Sequence, residues 1–110
     1  MEWSLAHNAV ELEDIPTLRD LLDAGDDVED DSGDGWTLLR HAIDVEVDSH
    51  DQTGKPLHVD VTAFLLSRGA DPLRKQNGVS VLEEAEKRKH WLAVELLRAW
   101  IIRSGHSRQE

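Results

Sequence analysis

The side chains best suited to chemistry crowd the middle of the chain. Carboxylates and imidazoles follow one another there: Glu46, Asp48, His50, Asp51, His58 and Asp60. Histidine together with Asp or Glu is a ligand set for zinc, and His58-Val59-Asp60 with a second histidine nearby has the ligand types of a facial-triad iron site. His50, His58 and Asp60 are therefore candidate metal ligands. The competing interpretation, which we favour, is an acidic loop whose last histidine begins a helix.

A second group of acids precedes this one. Seven of the twelve residues from 23 to 34 are acidic: Asp23, Asp26, Asp27, Glu29, Asp30, Asp31 and Asp34. The spacing Asp30-x-Ser32-x-Asp34-Gly35 is similar to the start of a calcium-binding loop, but its twelfth position is His41, where such loops carry a bidentate glutamate. Glycine and serine among the acids are typical of turns. We expect a projecting acidic loop that binds no calcium.

Nucleophilic catalysis has no support in the residue pattern. The six histidines are spread over the chain, and no serine, histidine and aspartate form a recognisable triad. The prediction is therefore a protein that is not an enzyme and that needs no cofactor.

The charge is distributed unevenly along the chain. Its net value is −11, of which residues 1–71 contribute −14 and residues 72–110 contribute +3. Such an acidic first part repels the phosphate backbone, which disfavours nucleic-acid binding, and it attracts basic protein surfaces or cations. The chain has no cysteine, which excludes disulfides and thiolate metal sites and is compatible with a reducing compartment.

Membrane and export signals are also missing from the pattern. The first residues do not form a basic segment followed by an apolar one, as a signal peptide would. The longest apolar-rich run, residues 91–102, contains Glu95 and Arg98 and is too short to cross a bilayer. We expect a soluble cytoplasmic protein without a membrane partner.

The elements that position these residues are predicted by a repeated pattern. Ser4, Thr37 and Ser80 are each followed five positions later by an alanine and then by an apolar run, and Trp3 precedes Trp36 by 33 positions. A period of this length is typical of stacked helical repeats. Hydroxyl N-caps, helical apolar stripes and glycine stops predict helices near 4–11, 15–24, 37–47, 57–68, 80–88 and 90–103, with negligible strand. An insertion interrupts the period near residues 45–56, with a loop from 49 to 56.

The pattern resembles the ankyrin-repeat family over most of the chain, most specifically in the middle repeat. Its helix start, Gly-x-Thr-Pro-Leu-His-x-Ala, is matched by Gly35, Thr37, Leu39 and Ala42, and its close is matched by the run Leu65-Leu66 and Gly69-Ala70-Asp71. The family's proline is absent from all three copies, which leaves the helix starts to their hydroxyl caps. The resemblance implies one all-α domain over 1–110, an ankyrin-like solenoid of about three helix-turn-helix repeats. Their approximate bounds are 1–33, 34–76 and 77–103, followed by a tail at 104–110.

The resemblance further implies a scaffold that binds proteins and carries no family-wide catalytic residue. Combined with the charge, it predicts an acidic binder or inhibitor of a basic partner, by analogy with immunity proteins. We expect the acidic loop and the insertion to border one recognition surface, with these partner-binding residues: Asp26, Asp27, Glu29, Asp30, Asp31, Asp34, Trp36, Glu46, Asp48 and Asp51. The alternative is a metal-binding protein or small enzyme that uses the insertion.

The tryptophans each have two interpretations. Trp3 and Trp36 occupy equivalent positions and either pack over the neighbouring repeat or act as anchors for a partner. In the last helix, the stripe from Trp91 to Ile101 is expected to fill the core, which leaves Leu92, Leu96, Trp100 and Ile102. Either the tail covers this second stripe, or the protein self-associates through Trp100 and Ile102.

Overall fold

A computed structural model describes residues 3–104 of the chain. In this range the chain forms six α-helices and one short hairpin: α1 Leu5–Glu11, α2 Ile15–Asp23, α3 Leu38–Thr53, α4 Asp60–Ser67, β1 Lys75–Gln76, β2 Val79–Ser80, α5 Val81–Lys87 and α6 Trp91–Arg103. The predicted helical class is confirmed, and each predicted helix boundary except the end of α3 lies within three residues of the observed one. Residues 105–110 of the predicted tail lie outside the described part.

The three hydroxyl caps form as predicted. Ser4, Thr37 and Ser80 accept the backbone amides of His7, Arg40 and Glu83 at 3.2, 3.3 and 3.1 Å. In the third cap the Glu83 carboxylate also accepts the Ser80 amide at 2.8 Å. These bonds satisfy amides that have no partner inside the helix, which is why α1, α3 and α5 begin where they do.

The helices contact one another in sequential pairs, α1 with α2, α3 with α4 and α5 with α6. The first members of the pairs also touch, since α1 contacts α3 and α3 contacts α5. A continuous apolar core runs through all three pairs, with Leu18, Leu38, Leu65, Val81 and Leu97 completely buried. The third helix is therefore the central element of the molecule.

The insertion differs from its prediction. Residues 49–53, expected as loop, continue α3, which ends at the left-handed Gly54 with φ 75°. The alternation at Val45, Glu46 and Val47 does not follow the helical period, because all three side chains are buried. Residues 48–53 contain no apolar side chain that would continue the buried stripe of α3. Only residues 54–59 connect α3 to α4.

The connection between α4 and α5, residues 68–80, contains a β-hairpin with a two-residue turn. Strands β1 and β2 pair antiparallel across Asn77 and Gly78, whose φ angles are 53° and 80°. Two successive positive φ angles define the type I′ turn, which Asn-Gly favours strongly. None of the helices in residues 3–104 combines the length and apolar character needed to cross a bilayer.

A buried arginine joins this hairpin to the central helix. The Arg40 guanidinium donates to the carbonyls of Val79 at 2.7 Å and Arg74 at 3.3 Å, and it lies 3.5 Å from the Glu84 carboxylate. Burial lowers the pKa of Arg40, and the charge of Glu84 opposes that effect. The connections between successive helix pairs, residues 24–37 and 68–80, are called the first and second inter-pair turns. The Arg40 side chain thus fixes the second inter-pair turn against α3.

Candidate recognition surface

The acidic turn, residues 26–34, uses many of its carboxylates to build itself. Four aspartates each accept the amide two residues ahead, at 2.8–3.1 Å: Asp27, Asp30, Asp31 and Asp34. Such Asx turns stabilise a tight backbone path that would otherwise leave amides without partners. The density of aspartate in this segment therefore has a local structural cause as well as an electrostatic effect.

Two of the predicted binding residues in the turn are paired within the molecule. Arg74 lies 3.3 Å from the Glu29 carboxylate and 2.7 Å from that of Asp31. Glu29 also accepts the Asp71 amide at 2.7 Å. Arg74 follows Glu29 by 45 positions and Asp31 by 43, and the fold brings them together. The exposed carboxylates left on the acidic turn are Asp26, Asp27 and Asp34.

An aromatic–histidine cluster, consisting of Trp3, His7, Trp36 and His41, lies beside the acidic turn. The His41 ring is 4.4 Å from Trp3, 6.3 Å from Trp36 and 5.1 Å from His7, measured between centroids. Both histidines are buried, whereas Trp3 is 41% exposed and Trp36 is half-buried. The histidines thus hold two indole rings at the surface next to a set of carboxylates.

A row of hydrogen bonds links the cluster to the turn and to α1. The His7 Nε2 atom lies 2.9 Å from the Asp30 carbonyl, its Nδ1 lies 2.8 Å from Nδ1 of His41, and Nε2 of His41 lies 2.8 Å from the Glu11 carboxylate. A carbonyl only accepts, so a neutral His7 donates from Nε2 and accepts at Nδ1. His41 must then donate from Nδ1, and the His41–Glu11 contact needs a further proton.

The pKa shifts of this site agree with that proton arrangement. Burial lowers the pKa of His7, an effect only partly opposed by its bond to the Asp30 carbonyl. Burial alone would raise the pKa of Asp30, but hydrogen bonds from the Ser4 hydroxyl and the Ser32 amide bring it below its ordinary value. The cluster therefore contains a neutral His7, next to the ionised Asp30 of the acidic turn.

The structure does not bring the acidic turn and the insertion onto one surface. Asp48 and Asp51 lie near the end of α3, whereas the turn precedes its first residue. At 1.5 Å per residue, Asp51 is about 20 Å along the axis from Leu38. Asp48 is also paired with Arg88 at 3.1 Å. The predicted joint surface is wrong because the insertion extends a helix away from the turn.

Glu46 is misplaced in the prediction of an exposed binding surface, because it is 0% exposed. One carboxylate oxygen accepts the amides of Val61 and Thr62 at 3.0 Å, and the other accepts the Thr62 hydroxyl at 2.7 Å. Helix α4 has no side-chain cap of its own, so Glu46 caps it from α3.

The same carboxylate reaches the start of α6. His90 accepts the Ala93 amide at Nδ1, so its proton is on Nε2, which donates to Glu46 at 2.9 Å. Glu46 therefore joins α3, α4 and α6, and we refer to Glu46, Thr62 and His90 as the buried hub.

The candidate metal ligands do not converge. Within residues 3–104 no three side chains of the types His, Cys, Asp and Glu are placed to hold an ion. His58 is bonded to Glu13 at 2.5 Å and to the Pro56 carbonyl at 3.3 Å, while His50 is bonded to the Lys55 carbonyl at 2.6 Å. Asp60 begins α4 with its side chain exposed.

The described histidines are also poorly placed to act as general bases. Both ring nitrogens are engaged in His7, His41, His58 and His90. Within residues 3–104, His50 alone has a ring nitrogen without a hydrogen-bond partner. A lone exposed imidazole does not favour the metal-binding or enzymatic alternative over protein binding.

Helix α6 presents a different surface from the predicted one. Trp91, expected in the core, is 63% exposed, whereas Trp100 is half-buried and packs against the core; Ile102 is 66% exposed. The buried residues of α6 are Ala93, Val94, Leu97 and Ile101. Trp91 also borders a cavity of about 600 Å³ between the end of α3 and the start of α6, which His50 and Asp51 line as well.

Sequence reasoning missed Glu11, His7 and His41 as members of the site. A usable signal was present, because His7 stands three positions after the Ser4 cap and Arg40 three positions after the Thr37 cap. Each side chain lies in the first turn of its helix and bonds to a carbonyl of the inter-pair turn that follows in the sequence. The contacts of His41 with Glu11 and Trp3 have no comparable signal, since they cross between helices.

Comparison with known proteins identifies no relative: no family model matches the chain, and no curated protein or solved structure matches it.

Proposed function

We propose that this protein is a protein-binding module that recognises a basic partner through the acidic turn and the aromatic–histidine cluster. The observation that carries the proposal is the contact of both Trp3 and Trp36 with the buried His41, beside exposed carboxylates. Tryptophans held rigidly at a surface are frequent anchors of protein interfaces. The indoles supply apolar contact area, and the neighbouring carboxylates supply negative charge that attracts a basic surface.

The exposed carboxylates and the tryptophans have different roles in this proposal. Asp26, Asp27 and Asp34 steer a basic surface toward the site and thus set the association rate. The indoles already pack near His41 in the free protein, which restricts their rotamers. They therefore lose little side-chain entropy on binding and set the dissociation rate. Glu29 and Asp31 serve mainly to hold the turn, because both pair with Arg74, whose charge offsets one of their two.

The proposal includes an ankyrin-like stacking of the three helix pairs. The support lies in two equivalent side chains. His7 bonds to a carbonyl of the first inter-pair turn, and Arg40 bonds to two carbonyls of the second. In such a stack the first helices of the pairs share a face with the turns, which is where repeat proteins bind their partners.

The biological role we propose is inhibition of the basic partner, in the manner of an immunity protein that neutralises a toxin. A small acidic domain that covers a basic surface would block access to anionic substrates of that surface. We further propose that both proteins meet in the cytoplasm, since a chain without cysteine suits a reducing compartment.

Two matched charge reversals test the site. Asp26 and Asp51 are both exposed, and neither carboxylate forms a hydrogen bond or ion pair among the described residues. Asp26 precedes α3, whereas Asp51 lies near its end. A photo-crosslinker at position 26 should capture the partner from a lysate of the native host more efficiently than one at position 51. With the purified partner, Asp26→Lys should slow association several-fold and weaken its dependence on salt, whereas Asp51→Lys should not.

Tryptophan truncations test the anchors separately. Trp36→Ala should raise the dissociation rate at least tenfold. Trp91→Ala removes an exposed indole beside the end of α3 and should leave the dissociation rate unchanged at concentrations where the protein is monomeric. Equal effects of Asp26→Lys and Asp51→Lys, together with a dissociation rate indifferent to Trp36→Ala, would contradict the proposal. Loss of the partner's activity in the complex would establish the inhibitory role.

A further inference from the structure

The solvent face of α6 carries a stripe of four side chains at helical spacing: Trp91, Glu95, Arg98 and Ile102. All four are exposed, and positions separated by four, three and four residues fall on one side of an α-helix. Two large apolar groups therefore stand at the ends of the stripe, about 16 Å apart, with an acid and a base between them.

The order of these side chains is complementary to itself. If a second copy of α6 lies antiparallel across the first, Trp91 meets Ile102 of the other copy and Glu95 meets its Arg98. A twofold axis between positions 95 and 98 produces each of these contacts twice, as an isologous interface requires. A parallel arrangement would instead place like charges side by side. Ala99 is also exposed on this side and allows the helices to approach closely.

We propose that the protein forms a homodimer through antiparallel packing of α6, with Trp91 and Ile102 as apolar contacts and Glu95–Arg98 as reciprocal ion pairs. The charge distribution favours this face, because residues 72–110 carry +3 whereas residues 1–71 carry −14. Two copies thus meet through their least acidic part. The acidic turn precedes α3 in the other part of the sequence, so the dimer presents two recognition surfaces.

Two local features suit this arrangement. Trp91 borders the cavity between the end of α3 and the start of α6, and Ile102 of the second copy lies at its mouth in the antiparallel register. Arg98 contacts Glu86 at 2.9 Å in its own chain, but its side chain is 56% exposed. Its guanidinium therefore has donors free for a second carboxylate.

The test measures self-association of the full chain by sedimentation velocity over a wide concentration range. A single helix pair makes a small interface, so we expect a dissociation constant on the order of 10–100 µM. Trp91→Ala should abolish the dimer while leaving the far-UV spectrum unchanged, because the side chain is exposed. Glu95→Arg or Arg98→Glu alone should weaken it roughly tenfold, since each places like charges opposite one another.

The combined exchange Glu95→Arg with Arg98→Glu is the decisive variant, because it restores opposite charges only in the antiparallel register and should recover most of the lost affinity. Arg19→Glu, a matched charge change on α2, should have no effect. The proposal is overturned by a wild-type protein that stays monomeric up to about 1 mM. It is equally overturned by a double variant no better than the single ones, or by head-to-tail assembly beyond a dimer.

Discussion

Two glutamate–histidine pairs in this molecule have nearly the same geometry and opposite surroundings. Glu46 lies 2.9 Å from His90 with neither side chain exposed, whereas Glu11 lies 2.8 Å from His41 and is 47% exposed. In the buried hub, every donor to the carboxylate is supplied by the protein. In the aromatic–histidine cluster, water reaches the carboxylate.

The difference separates a structural role from the proposed recognition role. A buried carboxylate persists only where the fold supplies its hydrogen bonds, and the start of α4 together with His90 does so. The Glu11–His41 pair stabilises the fold much less, because water competes for the half-exposed carboxylate, although His41 is buried. It is the second pair that lies beside the tryptophans and the acidic turn, where the side chains are open to a partner.

The largest effect should come from breaking the buried pair. Glu46→Ala leaves two backbone amides and the His90 ring without an acceptor in the core, and we expect it to cost about 3–5 kcal/mol. Stabilities of small domains are of similar size, so the variant should be largely unfolded. Glu11→Ala serves as the matched control and should cost no more than about 1 kcal/mol in urea denaturation. Equal losses for the two variants would remove the distinction.

A smaller effect should follow from dividing the two functions of His90. In His90→Asn the shorter side chain still caps α6 by accepting the Ala93 amide, but it no longer reaches Glu46. We expect a loss of about 1–2 kcal/mol, which isolates the bond between α6 and the hub. His90→Ala should cost more, since the cap is lost as well. Identical stabilities for the two variants would show that the cap contributes nothing.

The smallest effect should be on the pH dependence of stability, to which two histidines contribute with opposite signs. Burial lowers the pKa of His7, so the unfolded chain binds the proton more readily and stability falls as the pH drops below 6.5. Burial also opposes protonation of His58, but its bond to Glu13 prevails and raises the pKa. That contribution is fully present below pH 6.5 and is lost as the pH rises through the raised value.

Single substitutions separate the two trends. Denaturation of His58→Gln across this range should show a steeper decline of stability toward acid than the wild type, because only the His7 effect remains. His7→Asn should show the reverse, with stability declining toward alkaline pH. Parallel profiles for the two variants would contradict the assigned directions.

Much of the secondary structure was predictable because its signals are local. The caps at Ser4, Thr37 and Ser80 lie three residues from the amides they satisfy, and Gly25 ends α2 with a φ of 110° as expected. Pro16 lies in the first turn of α2, where its missing N–H costs nothing. Such features need no knowledge of the rest of the fold.

The errors concern residues whose partners are distant in sequence. Glu46 stands 15 residues before Val61 and 44 before His90, so its composition-based assignment to the surface could not be corrected from the sequence. Arg74 lies 43 residues after Asp31, and their pairing changes the apparent free charge of the acidic turn. Trp91 was assigned to the core by its neighbours, yet its side chain is 63% exposed. The acidic turn could be predicted from the sequence. Its separation from the insertion could not, because it depends on residues 49–53 being helical.

The reach of Glu46 also limits how the molecule could be shortened or lengthened. Proteins assembled from successive helix pairs generally tolerate removal or duplication of a terminal unit, because each unit contacts only its neighbours. Here the middle pair depends on the last one, since a donor to its buried carboxylate is His90, just before α6. A chain truncated after α4 would leave that carboxylate one donor short and open to water. The second helix pair therefore depends on the third for a hydrogen-bond donor, and neither could be removed or replaced without affecting the other.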